Sequence, residues 1–454
     1  MKKVLFLTSN FPPSASVGTQ RVTKILKFID PEKFQFSVLT LNESYYTEFG
    51  TENLMAKRVP DSIKVYRTDM LDPTMFFTRL KSFLTRSSSK NSTGQSKNNK
   101  SKSSTSTVTK TNQKVSLIGK MINSFRDIIF GILEFPDKHI GWMPKAVKEG
   151  VKIVKEQNID IIYTTAPPHS LFVMALKIKK RTGVKLVLDF RDPWALSRWD
   201  AGSAIKTKLE KYLERKTIKG ADAAIFVTQK LHQEYAKFYK NYNPEKFFLF
   251  FNGYDSDDFK DCDKTHPENN PKRFVHLGSL YKKRNPENLF RALKNLKDAG
   301  KIKTGEVLFE FIGYVGAELN FLYAMLEELD ISDLVVFKPL IDFKESIQTM
   351  FDADALIIVQ PGTDLQIPAK LFEYMYTRRP ILALAEHDSA TDKVIKEAEL
   401  GYVAASQDIA EIEQAVLDMI IRINSGKFSA NENYIDSFDM KTYIKKLEEC
   451  LNEI

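Results

Sequence analysis

Short apolar runs alternate with segments whose apolar positions recur every three or four residues, and the alternation continues through almost the whole chain. In the first half the runs predict strands at Val4–Thr8, Phe36–Leu39, Ile161–Thr164, Leu186–Phe190 and Ala223–Val227. In the second half they predict strands at Phe274–Leu277, Leu308–Ile312, Leu334–Phe337, Ala355–Val359, Ile381–Leu384 and Tyr402–Ala404. Helical faces lie between them. Val22, Ile25, Leu26 and Ile29 share one face, as do Leu289, Ala292, Leu293 and Leu296. Asn285, Pro286 and Glu287 read as a cap, a first-turn proline and a first-turn acid for the second of these. Strands that are apolar throughout and separated by helices imply parallel sheets covered on both faces.

Two such series suggest an α/β protein of two Rossmann-like domains, at 1–252 and 253–430. The segment FFLFFNGYDSDDF is the expected crossover. The polar stretch Asp261–Lys272, with Pro267 and Pro271, reads as a linker. A last segment, 431–454, carries Met440, Tyr443, Ile444, Leu447 and Leu451 on one helical face.

Length and composition agree with this picture. A chain of 454 residues suggests two or three domains, and 43% hydrophobic content supplies ordinary cores. Cys262 and Cys450 are too few for a disulfide framework, which favours a reducing, cytoplasmic compartment. MKKVLFLTSN imitates a signal peptide, but its apolar run ends at Thr8 and Ser9 and reads better as a buried strand. The chain has no uncharged apolar stretch long enough for a membrane span.

Charge changes the picture more. The net charge is +9, but residues 86–114 hold seven basic residues and no acid, and setting those seven aside leaves +2. A basic nucleic-acid-binding surface is therefore not implied. Rich in Ser, Lys, Asn and Thr, the segment reads as a disordered insertion, either a solvated loop or a contact for anionic lipid headgroups. Ile118, Met121, Ile122, Phe125, Ile128, Ile129, Ile132 and Leu133 follow as a wide apolar stripe. That helix either packs on the core or lies at a membrane interface or acceptor groove. Together the two segments suggest peripheral association with the cytoplasmic face of the membrane.

The chemistry-bearing residues fall just after the predicted strands. Gly18 sits between the first strand and its helix, with Thr19 beside it and Arg21 a turn on. The glycine reads as a tight turn or as a place where backbone meets a phosphate; GxGxxG is absent. His169 follows the Ile161 strand in TTAPPHSLF, as a structural histidine or one facing a cleft. Arg191, Asp192 and Trp194 follow the next strand. They form either an ion pair tying down a loop over a packed tryptophan, or a surface for sugar hydroxyls and C–H faces. In the second half Gly278 and Ser279 precede Lys282, Lys283 and Arg284. GTDLQIPAKLFEYMYTRRPILAL then places Lys370 and Glu373 on one face of a short helix. That helix is either an amphipathic connector or one whose N-terminus meets a diphosphate at the sheet's C-terminal edge.

The order of these motifs resembles glycosyltransferase family 4, whose GT-B fold has two Rossmann-like domains facing across a cleft and a C-terminal helix returning to the first. The resemblance covers nearly the whole chain except the insertion. It implies transfer of a sugar from a nucleoside-diphosphate sugar to an acceptor hydroxyl, with retention at the anomeric carbon and no metal or other cofactor. The acceptor would be a glycan or a lipid-linked species in surface polysaccharide synthesis. The FPP–Gly18 loop would near the donor diphosphate, together with Gly278, Ser279, Lys282, Arg284 and Lys370. Glu373 would hold the ribose, and Gly313 with backbone near Leu340 the base. His169 and Asp192 stand as candidates for catalysis, with Arg21, Arg191, Trp194 and Asp364 for acceptor or sugar.

Two departures stand out. Ser279 occupies a position where the family usually has Arg, which leaves Arg284, then Lys282, as the substitute cation. The family's first glutamate would fall at Leu365, one residue beyond Asp364. The rivals are a nucleotide-sugar 2-epimerase on the same fold and a non-catalytic scaffold subunit. A glycoside hydrolase would need a carboxylate pair across the cleft.

Overall fold

The computed structural model describes residues 1–14, 16–46, 55–71, 134–196, 203–426 and 429–454. The Lys-rich insertion and the apolar stripe at 118–133 lie outside them.

The first domain is built on seven parallel strands: β1 (Lys2–Leu7), β2 (Phe34–Leu41), β3 (Lys64–Thr68), β4 (Ile161–Ala166), β5 (Lys185–Phe190), β6 (Ala223–Phe226) and β7 (Phe247–Leu249). Their order in the sheet is 3-2-1-4-5-6-7. The second domain has six: β8 (Lys272–Leu277), β9 (Val307–Ile312), β10 (Val335–Lys338), β11 (Ala355–Gln360), β12 (Ile381–Ala385) and β13 (Gly401–Ala404), in the order 10-9-8-11-12-13. All the pairings are parallel. In each sheet the order reverses once, between β1 and β4 and between β8 and β11. Ligands of open α/β sheets bind in the crevice outside such a reversal. The loops after β1, β4, β8 and β11, together with the helices they lead into, carry most of the candidate residues.

The helices that matter for the site are α1 (Val17–Phe28), α2 (Met143–Gln157), α3 (Ser170–Thr182), α4 (Ala204–Gly220) and α5 (Gln229–Phe238) in the first domain. In the second they are α6 (Glu287–Asp298), α7 (Phe321–Glu328), α8 (Phe343–Asp352) and α9 (Ala369–Thr377). Ser16 caps α1 by accepting from the Thr19 N–H. Asn285 accepts from the Glu287 N–H at 3.0 Å, satisfying a first-turn donor of α6 from one residue outside its cap.

The chain end returns as expected. Met440, Tyr443, Ile444, Leu447 and Leu451 join Val4, Phe6, Val22 and Ile25 in one buried cluster of the first domain. Lys2 Nζ donates to the Leu451 carbonyl at 2.8 Å, and the Asp30 N–H donates to Glu448 at 3.0 Å. The crossover at Phe250–Tyr254 is clamped between the domains. Tyr254 pairs with Asp439 in an isolated bridge, and Lys24 Nζ donates to the Gly253 carbonyl at 2.9 Å.

Candidate functional site

In the second domain the chain leaves β8 through Gly278 and β9 through Gly313, with φ of +146° and +147°. Side chains rarely adopt that backbone. A Cβ on Gly313 would also strike the Gly278 carbonyl, so the two loops touch at their glycines. Beyond Gly278, Ser279 and Lys282 are exposed, and Arg284 folds back half-buried over the Tyr281 ring at 5.3 Å. Its Nε is buried without a hydrogen-bond partner.

Facing this loop, α9 begins after Pro368 without a side-chain cap, leaving N–H groups at its positive end for an anion. Burial pulls the Lys370 ammonium below the usual lysine range; Glu373 opposes this, and Arg284 adds to it as a second nearby cation. Glu373 is only 5% exposed. Two cations thus share a partly desolvated spot with one close carboxylate, which favours a further negative charge.

His276, near the end of β8, lies within the influence of Lys370 and Arg284, and its place inside an apolar strand gives it no functional signal in the sequence. It is 4% exposed, and its Nδ1 lies 3.0 Å from the Ile357 carbonyl. Burial lowers its pKa to about 3, with Lys370 and Arg284 adding to the effect, so the ring is neutral. Nδ1 therefore carries the proton, and Nε2 is a buried acceptor without a partner. Gly313 sits at the same loop junction, while Leu340, after β10, is 76% exposed.

The first domain presents a second group. His169 is the N-cap of α3 and stacks on Trp194, with ring centroids 4.9 Å apart and planes 10° apart. Burial lowers its pKa to about 3, helped by Arg191, so it too is neutral at physiological pH. His169 Nε2 and Arg191 Nε are both buried without partners. Asp192 is pushed above the usual carboxylate range by burial, against the pull of Arg191. Beneath this loop, Glu214 of α4 is fully buried and accepts from the Ala195 N–H at 2.8 Å and from the Tyr235 and Tyr239 hydroxyls at 2.7 and 2.5 Å.

Several expectations need correction here. Arg21 is not aimed at a ligand. It makes a bidentate pair with Asp189, both contacts 2.8 Å, and donates to the Phe250 and Phe251 carbonyls and to Asn252. It is a clamp on the domain crossover. Thr19 is fully buried against Ser16, with its hydroxyl 3.0 Å from the serine hydroxyl, and offers nothing to a diphosphate. The space a Gly18 side chain would fill holds the Arg191 guanidinium and Asn10, so this glycine admits protein groups to the α1 start. Trp194 is 5% exposed and packs against His169 and Phe172; it supports the histidine instead of offering an open face to a sugar.

Asp364 is also placed differently. It pairs with Lys230 of the first domain at 3.5 Å. The next residue, Leu365, is buried in the first domain's core cluster, and its carbonyl accepts from Thr228 at 2.7 Å. Gln366 donates to Asp192. The loop that would carry the family's first glutamate is thus docked in the opposite domain.

Two doubly wound sheets, with unpaired polar atoms and cations gathered at facing reversals, define a GT-B protein. Sequence comparison refines this. The Glycosyltransferase Family 4 model matches residues 123–258, and the Glycosyl transferases group 1 model matches residues 257–424. The chain belongs to the family 4-like glycosyltransferases.

Among solved structures it is similar to the Anabaena protein HepE in complex with UDP, with 14% identity, a TM-score of 0.64 and 100% of both chains covered. The lipopolysaccharide outer core galactosyltransferase WaaB in its apo form matches with 15% identity, a TM-score of 0.59 and 99% of both chains covered. A putative UDP-N-acetylglucosamine 2-epimerase from Listeria monocytogenes matches with 9% identity and a TM-score of 0.55, covering 100% of this chain and 96% of that one. No curated protein gives a significant sequence match.

Proposed function

We propose that this glycosyltransferase moves a sugar from a nucleoside-diphosphate sugar to the hydroxyl of a glycan or lipid-linked acceptor in surface polysaccharide synthesis, with retention. The observation that carries the donor class is the pair Arg284 and Lys370 at the uncapped start of α9, with Glu373 as their close acid. As the glycosidic bond to the diphosphate breaks, negative charge grows on the leaving oxygen. Fixed cations and helix N–H groups stabilise that charge more than the ground state. No step of the proposed reaction is routed through a metal. Glu373 accepts from the ribose hydroxyls, and neutral His169 contacts the sugar from the facing domain. The similarity to HepE, solved in complex with UDP, supports a UDP-linked donor, and that to the galactosyltransferase WaaB supports sugar transfer.

Retention rests on the family resemblance, and the acceptor on the same footing. Work at the cytoplasmic membrane face fits a lipid-linked acceptor; among the described residues no helix is long and apolar enough to cross a membrane. A second reading, a non-catalytic donor-binding subunit, is favoured by one observation: Leu365 stands at the first-glutamate position and is buried in the first domain. Incubation with a nucleotide-sugar panel and cell-envelope acceptors separates the readings. Acceptor-dependent release of nucleoside diphosphate supports transfer. Donor interconversion without release supports epimerisation, and donor binding without turnover supports the subunit.

A further inference from the structure

Helix α4 turns Glu214, Thr217 and Ile218 into the protein. Its outer face exposes Ile205 at 72%, Leu209 at 47% and Tyr212 at 58%. Spacings of four and three residues put these three in one stripe along the helix. Lys208, Arg215, Lys216 and Lys219 are exposed around it, and the Lys216 ammonium lies 5.5 Å from the Tyr212 ring centroid. Both acids of the helix are turned away from this face. Glu214 is buried, and Glu210 is half-buried with Lys206 3.8 Å away.

A water-facing helix gains nothing from three large apolar side chains in a row. Ringed by cations and, among the described residues of α4, by no exposed acid, the stripe matches an interface with an apolar interior and an anionic rim. We infer that the outer face of α4 docks on the surface of an anionic phospholipid bilayer. Ile205, Leu209 and Tyr212 enter the headgroup–acyl boundary while the lysines and Arg215 meet phosphates. The same helix holds the site loop from its other side, through the Glu214 hydrogen bond to Ala195. Docking therefore sets Asp192 and His169 at a fixed depth from the lipid surface, where a lipid-linked acceptor presents its hydroxyl. The inference rests on the function proposed above only for that class of acceptor.

Flotation of the full chain with phosphatidylcholine vesicles, alone and mixed with phosphatidylglycerol, tests it. The chain should float with the mixed vesicles, less so as salt rises, and stay behind with phosphatidylcholine alone. Leu209→Ser with Tyr212→Ser should abolish flotation. Lys208→Gln, Arg215→Gln, Lys216→Gln and Lys219→Gln should each weaken it about fivefold. All these side chains are exposed, so the variants should keep the parent's unfolding midpoint.

Absence of flotation by the parent chain overturns the inference, as do helix variants that float like the parent. Flotation lost on deleting residues 86–114 but kept by the helix variants moves the contact to the insertion and also overturns it. Self-association of the parent that the helix variants abolish, without vesicle binding, makes the face a contact between copies and overturns it too. UDP binding on the same preparations keeps the two readings apart: flotation without UDP binding removes the donor proposal alone, and UDP binding without flotation removes this one alone.

Discussion

Replacing Arg21 with leucine separates a structural clamp from a sugar ligand. The guanidinium is 5% exposed and Asp189 fully buried, with two contacts of 2.8 Å between them. Burial alone would lower the Arg21 pKa, but Asp189 outweighs it and the net shift is upward. The guanidinium therefore stays charged, and removing it leaves the fully buried Asp189 without its partner or access to water. Breaking one side of such a pair costs about 3–5 kcal/mol. Three further bonds to Phe250, Phe251 and Asn252 are lost with it, so the value should lie toward the upper end. Against a typical stability of about 5–15 kcal/mol this is a large fraction. With a urea dependence of about 1–3 kcal/mol per molar, the midpoint of the first domain's transition should fall by at least about 1 M.

The double variant Arg21→Leu with Asp189→Leu removes both charges and should recover at least about 2 kcal/mol over Arg21→Leu alone. UDP affinity should be unchanged in each folded variant, because the cations proposed to hold the diphosphate lie in the other domain. An unfolding midpoint within about 0.3 M of the parent, together with a raised acceptor KM, would refute the clamp and return Arg21 to the ligand list.

Three further outcomes are expected. Glu373→Ala should weaken UDP binding by about 1–3 kcal/mol in calorimetry, the worth of a charged hydrogen bond; equal affinity in a folded variant removes Glu373 from the site. His169 and His276 have pKa values of about 3 against an unfolded value near 6.5. The unfolded chain therefore binds more protons between these values, and stability falls with pH across that window, by about 2 kcal/mol per histidine from pH 7 to pH 5. His276→Gln should flatten that loss, and a profile equally steep in the variant contradicts the assignment. Glu214→Leu leaves the Ala195 N–H and two tyrosine hydroxyls without their acceptor. It should lower kcat without changing UDP affinity, whereas a variant with parental kcat shows that the 191–196 loop holds itself.

The fold was legible because parallel strands buried on both faces are apolar throughout, and every strand expected from such a run is present. The two that escaped are edge strands. β3, KVYRT, is half-exposed and mixed in character, and β7 is three residues inside the crossover. That the candidate residues stand at strand ends was also legible, since Gly18, His169, Arg191 and Gly278 each follow an apolar run. Their partners were not. Arg21 and Asp189 are 168 positions apart, and nothing local to Arg21 shows that a buried carboxylate waits for it. Trp194 could be an open face or a packed one, and only His169 stacked upon it decides. His276 had one faint signal, a titratable residue next to the end of an apolar strand that runs into a glycine. Leu365 reads as a missing glutamate in sequence; its actual destination lies in the other domain.

That destination also sets an energy scale for motion. Opening the cleft means drawing Leu365, 7% exposed, out of the first domain's core and breaking the Thr228, Lys230 and Gln366 contacts. Exposing one leucine costs about 1.5–3 kcal/mol. With about 1 kcal/mol for each of two hydrogen bonds, the open arrangement lies about 3.5–5 kcal/mol above the docked one. At that gap roughly one molecule in a few hundred to a few thousand is open at any moment. Under the function proposed above, exchange of a nucleotide product would wait on a rare excursion, and a smaller residue at 365 would be expected to speed release before it altered any chemical step.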